Sequence, residues 1–406
     1  MRRLLVLFVA LALVAFSAGA ASAMRKGSRG DDVMRGNAKA NTMHSFAGDD
    51  RVSGLRGNDT IFAGPGTDQV WGGPGRDNIL LGPDDDRGKG DRGNDRLVGQ
   101  GGHDRLWGGA GRDVIQAGPD NDWLHGGPGD DNIKIATGLG LQGGEGDDEI
   151  YGGPGNDTAM GGPGIDEIFG GEDHDLLYGN DGDDLLHGDD GNDEMFGNPG
   201  ADEMHGDDGS DIVFGGDGND VLFGGAGDDV RTRAGKPNEP GGVYGGAGDD
   251  LAFGGEGHDH VSGGAGNDKV YGGAGNDHMD GDMGDDLLID GAGHDNDVSG
   301  DEGNDVFYMG PGRDQVYGEE GNDVIYVLPD GDHDRIHCNM GYDRVYFVGY
   351  QDPEDAIQNY SGYDDCEVVE VIGWDEVPAD WPYGPDAVDA EAEARAEARS
   401  PYAVRR

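Results

Sequence analysis

Aspartate recurs every nine residues along most of this chain. The series runs from Asp50 to Asp131, resumes from Asp148 to Asp229 and from Asp250 to Asp295, continues at Asp305, Asp314 and Asp323, and ends at Asp334 and Asp343. That is 31 positions, and the phase extends back to Asp32 with Asn41 in the slot between. A fixed period of this length restricts the chain to repeat architectures, in which each unit buries its inner face only against its neighbours. Aligned on the aspartate, the unit reads G-G-x-G-x-D-x-U-x, as in Gly263-Gly264-Ala265-Gly266-Asn267-Asp268-Lys269-Val270-Tyr271. The residue two after the aspartate is usually apolar: Val52, Ile61, Val70 and Ile79 begin the row, and Ile150, Ile168, Leu177 and Leu186 continue it. One apolar residue in nine fits neither a helix period nor a long amphipathic strand. Each unit is therefore predicted to be a glycine-rich turn followed by a three-residue strand with one inward side chain.

Composition narrows the function classes. Glycine and proline, 84 and 17 of 406 residues, would signal disorder if they were not periodic. With 34% hydrophobic and 7% aromatic residues, no large conventional core can be assembled. The 84 acidic residues against 28 basic ones give a formal charge of -56, which repels nucleic acid and acidic membrane surfaces and resists compaction. Two cysteines are too few for a disulfide scaffold. At the N-terminus, Arg2 and Arg3 precede an apolar run from Leu4 to about Phe16 and small residues ending in Ala21-Ser22-Ala23. This reads as a signal peptide over residues 1–23, with an apolar run under the ~20 residues a transmembrane helix needs. The mature chain is expected to start at Met24, to carry -58 once Arg2 and Arg3 are removed, and to be secreted into a calcium-rich, oxidising space without a membrane span.

The motif closely resembles the hemolysin-type calcium-binding nonapeptide repeat of the RTX family, and twelve units carry the full G-G-x-G-x-D turn. The resemblance implies an all-β fold: a right-handed parallel β-roll over residues 24–346, two units per coil, with Ca²⁺ held between turns of adjacent coils. Glycines let such a turn reach positive φ and aim carbonyls at one point, and the aspartate adds a carboxylate, an all-oxygen set that suits calcium. Carried onto this sequence, the ligands are Asp59, Asp77, Asp95, Asp104, Asp113, Asp131, Asp148, Asp157, Asp166, Asp184 and Asp193, then Asp202, Asp211, Asp220, Asp229, Asp250, Asp259, Asp268, Asp277, Asp286, Asp305 and Asp323. The unit from Leu81 to Lys89 lacks the fourth-position glycine and has Gly88 in the apolar slot, so Asp86 is expected to be a weak ligand or none. About fifteen coils at ~4.8 Å each would make a rod about 70 Å long.

The nine-residue phase slips near 132–142, 231–244, 296–299 and 327–333, where loops or bulges are expected. The segment Arg231 to Gly242 is too short for an inserted catalytic domain. After Tyr346, aromatic and β-branched residues gather, and residues 347–377 are expected to cap the open end of the roll. Cys338 and Cys366 flank this element and are expected to be disulfide-bonded. Residues 378–406 form a polar tail, with a frayed helix expected over Ala387 to Arg399. His333, His337 and Cys338 invite a zinc reading, but most of the twelve histidines sit at variable repeat positions such as His103, His125, His187 and His205, and none is assigned to zinc. No H-E-x-x-H or G-x-S-x-G motif is present.

The functional expectation is a secreted, non-enzymatic calcium-binding module that folds on binding Ca²⁺ and meets an extracellular polymer or cell-surface component. A cell-surface or glycan-binding adhesin is the alternative, and a polysaccharide-modifying enzyme a more distant one. Nine asparagines, from Asn58 to Asn322, share the slot before the aspartate, yet threonine is nearly missing, which weighs against a regular ice-binding face.

Overall fold

The computed structural model describes residues 23–118, 120, 122–129, 131–134, 146–229, 242–328, 330–349, 356–357, 366–373, 376–378 and 382. The signal peptide up to residue 22, most of the 231–242 loop and the Ala387 to Arg399 segment lie outside the described residues. The rest is an all-β parallel solenoid, with no helix among the described residues and hence none able to cross a membrane.

Two parallel sheets, of 18 and 19 strands, face each other along the rod. Most strands pair with the one 18 residues later, as in Val52 with Val70, Ile61 with Ile79 and Ile150 with Ile168. Two nonapeptides therefore make one coil, and successive units alternate between the sheets. Eighteen strands stacked about 4.8 Å apart give a rod of about 80 Å. This exceeds the expected length because pairing begins at Ala23 and continues beyond Tyr346.

Some strands have the three residues expected, such as Thr60–Phe62 and Trp123–His125, but most are longer. Glu149–Pro154 and Thr158–Pro163 each span six residues, because the glycine pair of the following unit stays in the ladder, with Gly153 opposite Gly171. Gly153 sits at φ 107°, and the Cβ of another residue there would run 3.0 Å from the Gly127 carbonyl oxygen in the preceding coil. Where this slot holds another residue, it is mostly Asp or Asn, as at Asp91, Asn180 and Asn198, which tolerate the left-handed region best.

The inward positions alternate along each strand, so Ile150 and Gly152 are both buried while Tyr151 lies on the outer face. The apolar residues line up into one continuous core from Met34 to Phe347. The unit with Gly88 in the apolar slot is repaired locally. A Cβ at Gly88 would lie 3.0 Å from Leu81, and Leu81, fully buried, fills the space that the missing side chain leaves.

Where the aspartate phase slips, the pairing lengthens in both sheets together. Leu124 pairs with Ile150 and Ile133 with Ala159, each 26 residues on, and Val213 pairs with Val243 and Leu222 with Ala252, each 30 on. On either side of both insertions the roll keeps its register. Smaller slips give a spacing of 19 at His278 with Asp297 and of 20 at Gln315 with Arg335. In the segment expected to be a cap, Ala356–Ile357 and Val368–Ile372 add further parallel rungs, against Arg335–His337 and Arg344–Val348. A disulfide joins Cys338 to Cys366 beside these rungs, with Cα atoms 5.5 Å apart.

Candidate metal centres

The nonapeptide period places the aspartates in two columns, one along each line of turns. In each column the backbone N–H of one aspartate donates to Oδ1 of the aspartate one coil later. Asp59 donates to Asp77, Asp77 to Asp95 and Asp95 to Asp113, each at 2.7 Å. The other column runs the same way through Asp148, Asp166, Asp184 and Asp202, at 2.8–2.9 Å. All 22 aspartates assigned from the sequence are buried in these columns. The ladder thus consumes one carboxylate oxygen. The Oδ2 atoms of Asp59, Asp77, Asp95, Asp166 and Asp268 are buried with no hydrogen-bond donor. A buried carboxylate oxygen in that state is strongly unfavourable unless a cation or proton meets it.

Among the described residues, the glycine five residues before an assigned aspartate shows what Oδ2 faces. A Cβ at Gly90 would lie 2.6 Å from Asp95 Oδ2 and 2.5 Å from the Gly108 carbonyl oxygen of the next coil. At Gly108 the corresponding oxygens are Asp113 Oδ2 at 2.6 Å and Gly126 O at 2.7 Å, and at Gly254 they are Asp259 Oδ2 at 2.8 Å and Gly272 O at 2.5 Å. A carboxylate and a carbonyl from adjacent coils therefore converge on a point kept clear by the missing side chain. Calcium takes all-oxygen ligand sets in adaptable cages, so a carboxylate and a carbonyl brought together from adjacent coils suit it.

Electrostatics agree with that fit. Burial pushes the Asp166 carboxyl up to about 8; the Asp148 N–H holds it back, and Asp184 and Asp148 in the flanking coils raise it further. Burial does the same to Asp77 and Asp184, raised to about 7. A stack of ionised, desolvated carboxylates needs positive charge between its members.

The columns also separate units that the motif alone ranks only coarsely. Leu81 stands five residues before Asp86, so a side chain occupies the point that glycine keeps open elsewhere, and burial pushes Asp86 up to about 9. Ala63 and Ala117 do the same before Asp68 and Asp122. Asp175 is not among the ligands carried over from the motif, and Asp173 stands at its fourth position in place of glycine. Yet Gly170 keeps its cradle open, and Asp173 adopts φ 81°, the conformation glycine would supply. Three substitutions follow. Gly254→Ala is expected to remove about one calcium ion per chain and Ala117→Gly to add about one, while Asp86→Asn leaves the count unchanged, all read by equilibrium dialysis. The buried alanines at 63 and 117 indicate that the roll itself accepts the methyl group.

Beside each column runs a second ladder of opposite polarity, which explains the asparagine slot. Asn58 Oδ1 accepts from the N–H of Arg76 at 3.0 Å, Asn192 Oδ1 from Ser210 at 2.9 Å and Asn276 Oδ1 from His294 at 2.8 Å. These amides are used between coils rather than presented as an external lattice. His333, His337 and Cys338 make no ligand set, since the Cys338 sulfur is bonded to Cys366.

The family described as the RTX calcium-binding nonapeptide repeat (4 copies) matches residues 26–61, 44–79, 80–115, 107–134, 141–168, 160–195, 196–230, 243–261, 253–288 and 290–325, well over half of the chain. No curated protein matches it. The repeats imply calcium binding, and the buried aspartate columns are consistent with it.

Proposed function

The chain belongs to the RTX calcium-binding nonapeptide-repeat family, and on that premise we propose that it is a secreted, non-enzymatic rod whose folded state is loaded with calcium. The observation that carries this reading is the pair of aspartate columns, in which Oδ2 after Oδ2 is buried facing a carbonyl of the next coil. When bound, calcium would supply the positive charge that lets these carboxylates stay ionised inside the roll. The chain's own residues do the rest. The backbone N–H of each aspartate fixes the next carboxylate, the glycine keeps the cradle clear, and the apolar row excludes water from the inner face. Because this arrangement recurs in most coils, the carboxylates serve as a lattice of cation ligands rather than as an isolated acid and base pair.

The apolar leader before Ala23 supports secretion, and the rod would then present its outer face to an extracellular polymer or cell-surface component. The test is to recover the protein from the medium of its native cells, read its N-terminus and count bound ions. A start at Met24 and on the order of twenty calcium ions per chain are expected, given roughly one ion per open cradle. Retention in the cytoplasm, or only a few ions bound, would count against the proposal. A glycan array probed with the calcium-loaded rod separates an adhesin from a module that meets other partners.

A further inference from the structure

We propose that the outer face of the roll carries a second kind of metal site, a zinc-class centre built from His260, His278 and Asp280. Strands His260–Ala265 and His278–Met283 are neighbours in one sheet, with His260 opposite His278 and Ser262 opposite Asp280. Both imidazoles lean toward the same carboxylate. Nε2 of His260 lies 3.1 Å from Asp280 Oδ2, and Nε2 of His278 lies 3.2 Å from the same oxygen. The three ligand atoms all fall within 4.8 Å of one another. Metal–ligand bonds of about 2.0–2.1 Å put the edge of a zinc tetrahedron at about 3.3 Å, so these separations already approximate those of a coordinated ion.

The outer nitrogens argue for the same assignment. Nδ1 of His260 is 2.9 Å from the Tyr244 hydroxyl, and Nδ1 of His278 is 3.2 Å from Asp297 Oδ2. Each ring thus has an oxygen partner on Nδ1 that orients it and leaves Nε2 directed inward, the arrangement typical of metal-ligating histidines. The rings meet at 63°, so their in-plane lone pairs can converge on one point. Asp280 and His260 are 24% and 14% exposed and His278 is 39% exposed, which leaves room for a water as fourth ligand. Imidazole nitrogen suits zinc and poorly suits calcium, so this site would not compete with the aspartate columns for their ion.

Two other clusters fall short. His187 and His205 stack in parallel, 4.5 Å apart at 6°, so their lone pairs run side by side. Asp290, Asp295 and Asp314 are all carboxylates and include two members of an aspartate column.

The test uses the full mature chain held in saturating calcium, titrated with zinc sulfate by calorimetry and with cobalt sulfate by visible absorption. One tight ion per chain is expected, with the intense visible bands of tetrahedral Co²⁺. His260→Ala combined with His278→Ala should abolish those bands, and Asp280→Asn should weaken them while nearly preserving side-chain shape. Asp297→Asn and Tyr244→Phe should each keep the stoichiometry and lower zinc affinity by about 10–100-fold. His187→Ala with His205→Ala should bind as the wild type does. Unchanged calcium-dependent circular dichroism in each variant ensures that the roll is intact, and Asp280→Asn provides the reading if the double histidine variant misfolds. Failure of the calcium-loaded wild type to bind zinc, or tight zinc binding that survives the loss of both histidines, would overturn the proposal.

Discussion

Titrated with calcium, the chain from Met24 onward is expected to pass from an expanded coil to a compact β rod in one cooperative step. Each nonapeptide buries about one apolar side chain, and that burial must oppose both the entropy of ordering nine residues and the self-repulsion of a chain at -58. The backbone rungs at the aspartate columns, such as Leu185 N to the Asp166 carbonyl at 2.9 Å, join residues whose carboxylates also come together. Making the rung without a cation therefore brings like charges into a water-poor turn. Calcium reverses the sign of that contact, and on the order of twenty ions would remove about forty charges. Because each coil templates the next, the transition should be steep in calcium concentration. Circular dichroism and small-angle scattering are expected to move together, with a midpoint in the sub-millimolar to millimolar range and magnesium a poor substitute. A chain that is already compact and β-rich in excess chelator would sink the idea that calcium is the folding switch.

The nine-residue period made the aspartate columns legible because a single repeated carboxylate needs no tertiary information to be noticed. The apolar row was legible for the same reason, and Val52, Ile168, Leu177 and Val270 all point into the core. What the period concealed was the use made of the remaining positions. The asparagine slot looked like surface chemistry, whereas Asn58 and its equivalents bond to the next coil; seeing this requires knowing that residue 58 lies beside residue 76. Leu81 read as the start of a defective unit. It is in fact the residue that fills the void above Gly88 and closes the cradle at Asp86, two effects of one side chain. The motif's fourth-position glycine hides the equivalence of Asp175 to the assigned ligands, because aspartate also reaches positive φ, as Asp173 does. The histidine pair was overlooked for a related reason. Variability along the repeat was read as absence of role, yet two histidines one coil apart, 18 residues in sequence, are neighbours in space.

Proton uptake should distinguish a coil that folds around calcium from a roll that merely exchanges protons for it. In the folded chain without metal, burial raises Asp86 and Asp122 to about 9, Asp166 and Asp211 to about 8 and Asp104 and Asp148 to about 7, from an ordinary value of 3.8. A metal-free roll therefore binds more protons than the coil between about pH 4 and pH 7. By linkage, its stability is greatest below the coil value and is lost as the pH rises through the folded values. At pH 7 the metal-free chain should then be a coil whose aspartates are already ionised, and the calcium-loaded roll holds them ionised as well. Calcium binding is accordingly expected to release close to zero protons at pH 7, measured by calorimetry in two buffers of different ionisation enthalpy. The column aspartates should contribute almost nothing to the pH dependence of its midpoint from pH 8 to about pH 5.5, since they are ionised in both end states there. Had the apo chain been folded with a protonated column, the same titration would release on the order of twenty protons. In chelator, acidification from pH 7 to about pH 4 is expected to restore part of the β signal, because protons neutralise the buried carboxylates that calcium would otherwise have met. Large proton release at neutral pH, together with a β spectrum unchanged by chelator, would show that the columns assemble before the metal arrives.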